Sequence, residues 1–337
     1  SGLKIVKKAQ KPIQKVLYID DEYDKGWEDI FKIYFSKKHK QEFEIRTIKE
    51  IQKDTTFDEL KNYFTQYIQD EVPDIILLDL RIIADDHSEK NEQNISGIKL
   101  LKYIKEQINP GIQVILITAS GKSTILNEAN KYNILGYIKK EHPQDLSSNT
   151  KETFEIFKKL LDEGLEKHYL KNIWKIQQDI LKLDMFPCDK YYEIEVEVKS
   201  IFEILNTNME NRFIYCMFAI FKVLEILVKL YIEEKPENET RYAYWVNTNS
   251  KIPIVNNDNI LVDTKSRDKN TSTENKIRVI LHVKLELKDR EIHNSVSSIT
   301  KIRNNTIHPK KKKNNAEIRE TIVLEWFTML QTVLNKI

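Results

Sequence analysis

Two cysteines in 337 residues, Cys188 and Cys216, are too few for a disulfide framework, and their spacing matches no metal motif. A reducing cytoplasm is the compartment this implies. Glycine and proline are scarce, at 7 and 8 residues, which favours long regular elements over a loop-rich chain. Charge of one sign is not in excess: 54 Lys and Arg against 52 Asp and Glu leave a formal +2. No global field therefore commits the chain to nucleic acid or membrane, although local patches still can. A long uninterrupted apolar run is also missing. The most apolar stretch, Phe213 to Ile232, is broken by Lys222, Glu225 and Lys229, which share one helical face. That pattern predicts a buried amphipathic helix, not a membrane span. No secretory signal, internal repeat or long low-complexity tract is present, and Ser1-Gly2 reads as a tag-cleavage scar. What remains, 40% hydrophobic and 31% charged, can bury real cores over about two domains.

The stretch Asp74-Ile75-Ile76-Leu77-Leu78-Asp79-Leu80 organises the amino-terminal half. Four aliphatic residues running into a lone carboxylate predict a strand buried on both faces, as in parallel sheets covered by helices. Asp79 then belongs at the C-terminal edge of the sheet, where open α/β folds build ligand sites. Lys15–Asp20, Phe43–Ile48, Val114–Ala119 and Gly136–Lys140 read as four more strands, with helices between them at Trp27–Lys38, Phe57–Ile68 and Gly97–Ile108. The alternation predicts a doubly wound, five-stranded parallel sheet. Asp20-Asp21, Asp79, Thr118 and a lysine stand at its strand ends, a set suited to a divalent cation and a phosphoryl group together.

VLYIDDE, DIILLDL, ITAS and GYIKK resemble the signature strands of response-regulator receiver domains, a flavodoxin-like fold, over roughly residues 13–146. The resemblance implies that Asp79 is the phosphoacceptor and that a sensor histidine kinase is the partner. It implies Mg²⁺ held by Asp79, by Asp21 directly, by Asp20 through water and by the Arg81 main-chain carbonyl. Thr118 would contact the phosphoryl oxygens, Tyr137 would be the aromatic switch residue, and Lys140, preferred to Lys139, would be the phosphate-contacting lysine. Two departures stand out: the segment between Asp79 and Gly97 is about ten residues longer than usual in the family, and Glu141 replaces the usual proline.

Residues 147–184 read as a helical linker, with Lys151 to Leu183 as one long helix interrupted by Gly164, able to couple two domains or to pair with its copy. Residues 185–337 read as an all-α bundle, with helices at Glu195–Asn206, Asn211–Glu233, Thr273–Lys288 and Ala316–Asn335. Lys235–Thr271 carries no assignable pattern beyond a hairpin within Ile252–Val262. Arg303, Asn304 and His308 end the segment KIRNNTIH, and on a helix Arg303 and His308 lie little more than one turn apart. That segment resembles the R-N-x-x-x-H motif of HEPN domains, many of which are metal-independent ribonucleases working as dimers. The resemblance implies an endoribonuclease site without a cofactor, a homodimer and an RNA substrate, with Lys310, Lys311, Lys312 and Lys313 adding affinity for RNA. Glu225 has two readings, lining that site or pairing with Lys222 and Lys229; His282 and His293 read as structural. The leading expectation is a phosphorylation-regulated ribonuclease, and the alternative a non-catalytic adaptor that binds RNA or protein. A receiver that serves only for dimerisation is a third reading.

Overall fold

A computed structural model describes residues 14–38, 43–52, 54–119, 123–140, 149–231, 245–246, 253–254, 273–307 and 319–337. The chain divides into two compact units, residues 1–171 and 172–337.

In the first unit, strands β1 (Gln14–Ile19), β2 (Phe43–Thr47), β3 (Ile75–Leu78), β4 (Gln113–Thr118) and β5 (Gly136–Lys139) form one parallel sheet in the order β2-β1-β3-β4-β5. Every residue of β3 and β4 is buried, as expected for central strands covered on both faces. Side chains alternate between the faces, and each face carries its own core. Leu17, Ile19, Ile76, Leu78, Val114 and Leu116 pack under helices α2 (Phe57–Asp70), α3 (Ser96–Tyr103) and α4 (Ser123–Asn130). Val16, Tyr18, Ile75, Leu77, Ile115 and Ile117 pack with Phe31 of α1 (Trp27–Lys38) and with Phe157, Leu160 and Leu161 of α5 (Asn149–Lys167). Local chemistry marks the helix starts: Thr56 and Glu59 close a reciprocal capping box at the head of α2. The expected doubly wound sheet is therefore what the chain forms.

The single helix expected over Lys151–Leu183 is two. The first, α5, ends at Lys167, His168 and Tyr169 form a turn, and α6 spans Leu170–Leu181. Phe157, Leu161 and Leu165 of α5 face the sheet. Tyr169, four residues on, and Leu170 are both buried, so the apolar pattern runs on across the turn. Gly164 is not the break. It lies buried within α5, where a Cβ would come within 2.9 Å of Ile75 Cδ1 and 3.0 Å of Leu135 Cδ1. The missing side chain lets the helix approach the sheet.

In the second unit, α7 (Tyr192–Leu205) and α8 (Arg212–Tyr231) pack along one another, and α8 also meets α9 (Thr273–Val279), α10 (Arg290–Ile307) and α11 (Glu320–Leu334). Among the described residues no helix is long and apolar enough to cross a membrane. The helix expected over Thr273–Lys288 tightens its ladder only to Val279 and then widens into a π-type turn at Ile280–Lys284. Of the segment Ile252–Val262, expected to hold a hairpin, only Pro253–Ile254 (β7) is among the described residues, and it pairs antiparallel with Trp245–Val246 (β6), which lies before that segment. The rest of Lys235–Thr271 lies outside the described residues. No helix was assigned from sequence over the full length of α10, because its buried stripe mixes Ile292, Val296 and Ile299 with His293, Ser295 and Thr300. Such polar residues weaken the hydrophobic period.

Candidate functional sites

Sheet order builds the first site. The chain leaves β1 toward β2 on one side and returns to β3 on the other, so the strand order reverses between β1 and β3. A crevice opens beyond the C-terminal ends of strands at such a switch point. Ile19 pairs with Leu78 in register, so the next residues, Asp20 and Asp79, emerge side by side; the Asp79 N–H donates to the Ile19 carbonyl at 2.9 Å. Thr118, buried, ends β4. Lys140 follows β5, its N–H donating to the Thr118 carbonyl at 2.9 Å. These positions share one edge of the sheet.

Carboxylate oxygens of Asp20, Asp21 and Asp79 all lie within 4.8 Å of one another, the one such group among the described residues. Asp20 is fully buried. It accepts from the Glu22 N–H at 2.9 Å, from the Tyr18 hydroxyl and from the Lys140 ammonium at 2.5 Å. Asp79 accepts from the Leu80 N–H at 2.6 Å through one oxygen and from Lys140 at 2.6 Å through the other. Lys140 thus bridges two acids, while Lys139 is exposed. Gly97 closes the edge: its N–H donates to the Leu80 carbonyl at 3.0 Å, and a Cβ there would sit 2.3 Å from the Asp79 carbonyl oxygen.

Three acids against one lysine leave surplus negative charge. Burial pushes the Asp79 carboxyl up to about 7; Lys140 opposes this and Asp20 adds to it. Burial, with Asp20 and Glu22 beside it, pushes Asp21 up to about 6. Burial also raises the Tyr18 phenol, reinforced by Asp20. For Lys140 burial disfavours the charged form, but Asp79 and Asp20 outweigh it and the pKa is raised. An all-oxygen donor set with excess anionic charge suits a hard divalent cation, so these residues fit such an ion.

The other residues singled out in this half take distinct places. Tyr137 lies on β5 opposite Leu116 and is 47% exposed. Arg81 donates from its guanidinium to the Asp86 carbonyl. Two residues were missed by sequence reasoning. Tyr18 looks like one more core aromatic of β1, and Asp86 sits in a polar stretch that reads as surface loop. Neither carries a local signal of its role.

A second candidate site is an open groove of about 410 Å³ on the helical unit, lined by α7, α8 and α10. Arg303 stands in it, its guanidinium 4.9 Å from the Phe221 ring centre and 3.7 Å from a Glu225 carboxylate oxygen. One guanidinium nitrogen donates to Asn304 Oδ1 at 3.1 Å, while the buried Nε–H has no acceptor among the described residues. Glu225 therefore faces Arg303 and the groove, and Lys222 also lines it. Tyr215, 48% exposed, and Phe221 add aromatic surface that the sequence did not single out. His308 and Lys310 to Lys313 lie outside the described residues. His293 is fully buried and its Nε2 meets the Leu287 carbonyl at 2.9 Å; its ring lies 6.2 Å from that of His282, and neither histidine lines the groove.

No family model matches the sequence, and no curated protein matches it. Among solved structures, it is similar to a Chloroflexus aurantiacus chain described as a candidate response regulator, at 15% identity and a TM-score of 0.30, over 45% of this chain and 99% of that one. It is similar to NtrX from Brucella abortus, at 18% identity and a TM-score of 0.32, over 56% of this chain and 40% of that one. A response regulator from Burkholderia pseudomallei with a phosphorylated aspartic acid is similar at 16% identity and a TM-score of 0.26, over 50% of this chain and 84% of that one.

Proposed function

We propose that this chain is a phosphorylation-regulated signalling protein in which Asp79 accepts a phosphoryl group from a sensor histidine kinase. The observation that carries the reading is the convergence of Asp20, Asp21, Asp79 and Lys140 at the switch point of the parallel sheet. An Asp79 oxygen attacks phosphorus, a P–O bond forms, and the P–N bond of the phosphohistidine donor breaks; the leaving imidazole keeps the electron pair and is protonated from solvent. Lys140 then exchanges its contact with Asp79 for one with the new phosphoryl oxygens while keeping Asp20. Thr118 offers its hydroxyl at the same edge, and Tyr137 on the neighbouring strand is the side chain whose exposure changes. Mg²⁺ held by Asp20, Asp21, Asp79 and the Arg81 carbonyl would neutralise charge on the phosphoryl oxygens. Incubation with acetyl phosphate and Mg²⁺, followed by intact mass, tests this: the wild type gains one phosphoryl group and Asp79→Asn gains none.

For the helical unit we propose a metal-independent endoribonuclease acting as a homodimer. Support comes from the R-N-x-x-x-H order at Arg303, Asn304 and His308 and from a groove in which the Arg303 guanidinium stands 3.7 Å from a Glu225 carboxylate oxygen. His308 takes the proton of a ribose 2′-hydroxyl, whose oxygen attacks the adjacent phosphorus as the bond to the 5′-oxygen breaks; the 5′-oxygen takes a proton from solvent, giving a 2′,3′-cyclic phosphate and a 5′-hydroxyl, and His308 returns its proton to solvent. Arg303 meets the charge that develops on phosphorus, and Lys310 to Lys313 hold the RNA backbone. Equal cleavage by wild type, Arg303→Ala and His308→Ala would discard this assignment. The second reading is an adaptor that binds RNA or protein without cutting, favoured by the open, half-exposed groove. RNA binding that survives His308→Ala with no cleavage product selects it.

A further inference from the structure

The segment between Asp79 and Gly97 is not slack. It folds around Asp86, which is 2% exposed. One Asp86 oxygen accepts from the Ile82 N–H at 2.9 Å, from the Ile83 N–H at 3.2 Å and from the Ser96 hydroxyl. The other accepts from the Ser96 N–H at 2.8 Å, and the Asp86 carbonyl takes the Arg81 guanidinium. A carboxylate ten residues from Ser96 thus ties both ends of the insertion together.

The consequence lies in the Arg81–Ile82 peptide. A trans peptide is planar, with its N–H and C=O pointing opposite ways. Holding the Ile82 N–H on Asp86 therefore turns the Arg81 carbonyl away from Asp86 and limits its rotation. That peptide lies two residues beyond Asp79, whose N–H is held by the Ile19 carbonyl, and one beyond Leu80, whose carbonyl accepts from the Gly97 N–H.

We infer that Asp86 is a positioning residue for the acid site: it fixes the orientation of the Arg81 carbonyl and so adapts an elongated loop to a cation of strict geometry. The inference rests on the reading of Asp79 as phosphoacceptor with Mg²⁺ beside it. Groups that orient metal ligands typically change affinity by roughly 10–100-fold when removed. Mg²⁺ demands near-octahedral geometry, whereas Ca²⁺ tolerates irregular coordination. Loosening the carbonyl therefore weakens Mg²⁺ more than Ca²⁺, an asymmetry that general destabilisation does not produce.

The test is calorimetric titration of the full chain with Mg²⁺ and separately Ca²⁺, for wild type, Asp86→Asn, Ser96→Ala and Asp79→Asn. Near-UV circular dichroism checks that each variant is folded. The expected result is a loss of roughly 10-fold or more in Mg²⁺ affinity for Asp86→Asn, with a smaller loss for Ca²⁺. Ser96→Ala, which removes the hydroxyl that donates to Asp86 and accepts from the Ile82 N–H at 3.2 Å but leaves the three backbone bonds to Asp86, should show the same asymmetry at lower amplitude and serves if Asp86→Asn does not fold. Unchanged Mg²⁺ affinity in the folded variants, or equal losses for both ions, overturns the positioning role. If the wild type binds neither ion, the reading of the acid site fails and takes this inference with it; binding by wild type that Asp79→Asn abolishes supports that reading on its own.

Discussion

Replacing Asp79 by asparagine should stabilise the cation-free protein, and the size of the gain follows from its surroundings. Burial lifts the Asp79 carboxyl to about 7 even with Lys140 at 2.6 Å. In the unfolded chain the same group titrates near its ordinary value of about 3.9. Between those two pH values the folded state binds the extra proton, so stability falls as pH rises from about 4 to about 7 and then levels off. A gap of about three units corresponds to ~4 kcal/mol at pH 7.5. The amide nitrogen of asparagine would face the Lys140 ammonium without an acceptor, which takes back about 1–2 kcal/mol. The net gain is on the order of 2–3 kcal/mol at pH 7.5, and the two proteins should be about equal near pH 5. Urea midpoints by far-UV circular dichroism in EDTA at pH 5, 6 and 7.5 measure this directly. Asp21, raised to about 6, leaves the variant a residual slope of the same sign below that pH. Added Mg²⁺ should stabilise the wild type and not the variant. A variant less stable than wild type at pH 7.5, or one with an unchanged pH slope, refutes the reasoning.

Three other outcomes are expected. Lys105 is buried and donates to the Pro110 and Ile112 carbonyls at 3.0 and 2.6 Å; burial, with Lys167 nearby, lowers its pKa to about 7. The unfolded chain keeps that proton up to about pH 10, so stability rises on the order of 2–4 kcal/mol between pH 7 and 10, and Lys105→Met should remove the rise in urea midpoints. Gly97→Ala forces a Cβ to within 2.6 Å of Leu80 Cα as well as onto the Asp79 carbonyl oxygen; a loss of about 1–3 kcal/mol and slower phosphorylation by acetyl phosphate are expected, and wild-type rates would count against the close packing. Lys171 pairs with buried Asp74 at 2.6 Å and donates to the Val72 carbonyl at 2.8 Å. Lys171→Ala removes the ion pair and leaves that carboxylate the Lys15 N–H at 2.8 Å on its other oxygen; a loss on the order of 3 kcal/mol is expected, with faster amide exchange at the start of α6, and unchanged exchange protection would show that the pair holds nothing.

Much of the first unit was legible because its signals are local. An apolar run such as Ile75–Leu78 declares a doubly buried strand by itself, and a carboxylate directly after it has only the sheet edge to occupy. Pairing register then does the rest, since the residues following β1 and β3 must emerge together. The helical unit was harder. The stripe of α10 is diluted by His293, Ser295 and Thr300, and their burial depends on neighbours from other helices. The break between α5 and α6 leaves no mark in the apolar pattern, because Tyr169 follows Leu165 at helical spacing and both sides carry strong helical periods.

By itself the amino-acid sequence determined the order of the strands along the first unit, their parallel sheet and the acids that end them, because periodicity and chain direction act over a few residues. Only the tertiary structure decided which partners those groups meet. Lys140 lies 61 residues from Asp79, Glu225 lies 78 from Arg303, and Ser96 lies ten from Asp86 across a folded loop. Such pairs are chosen by packing, which brings distant segments within hydrogen-bond reach and sets the burial that shifts the charges, and no local pattern encodes that.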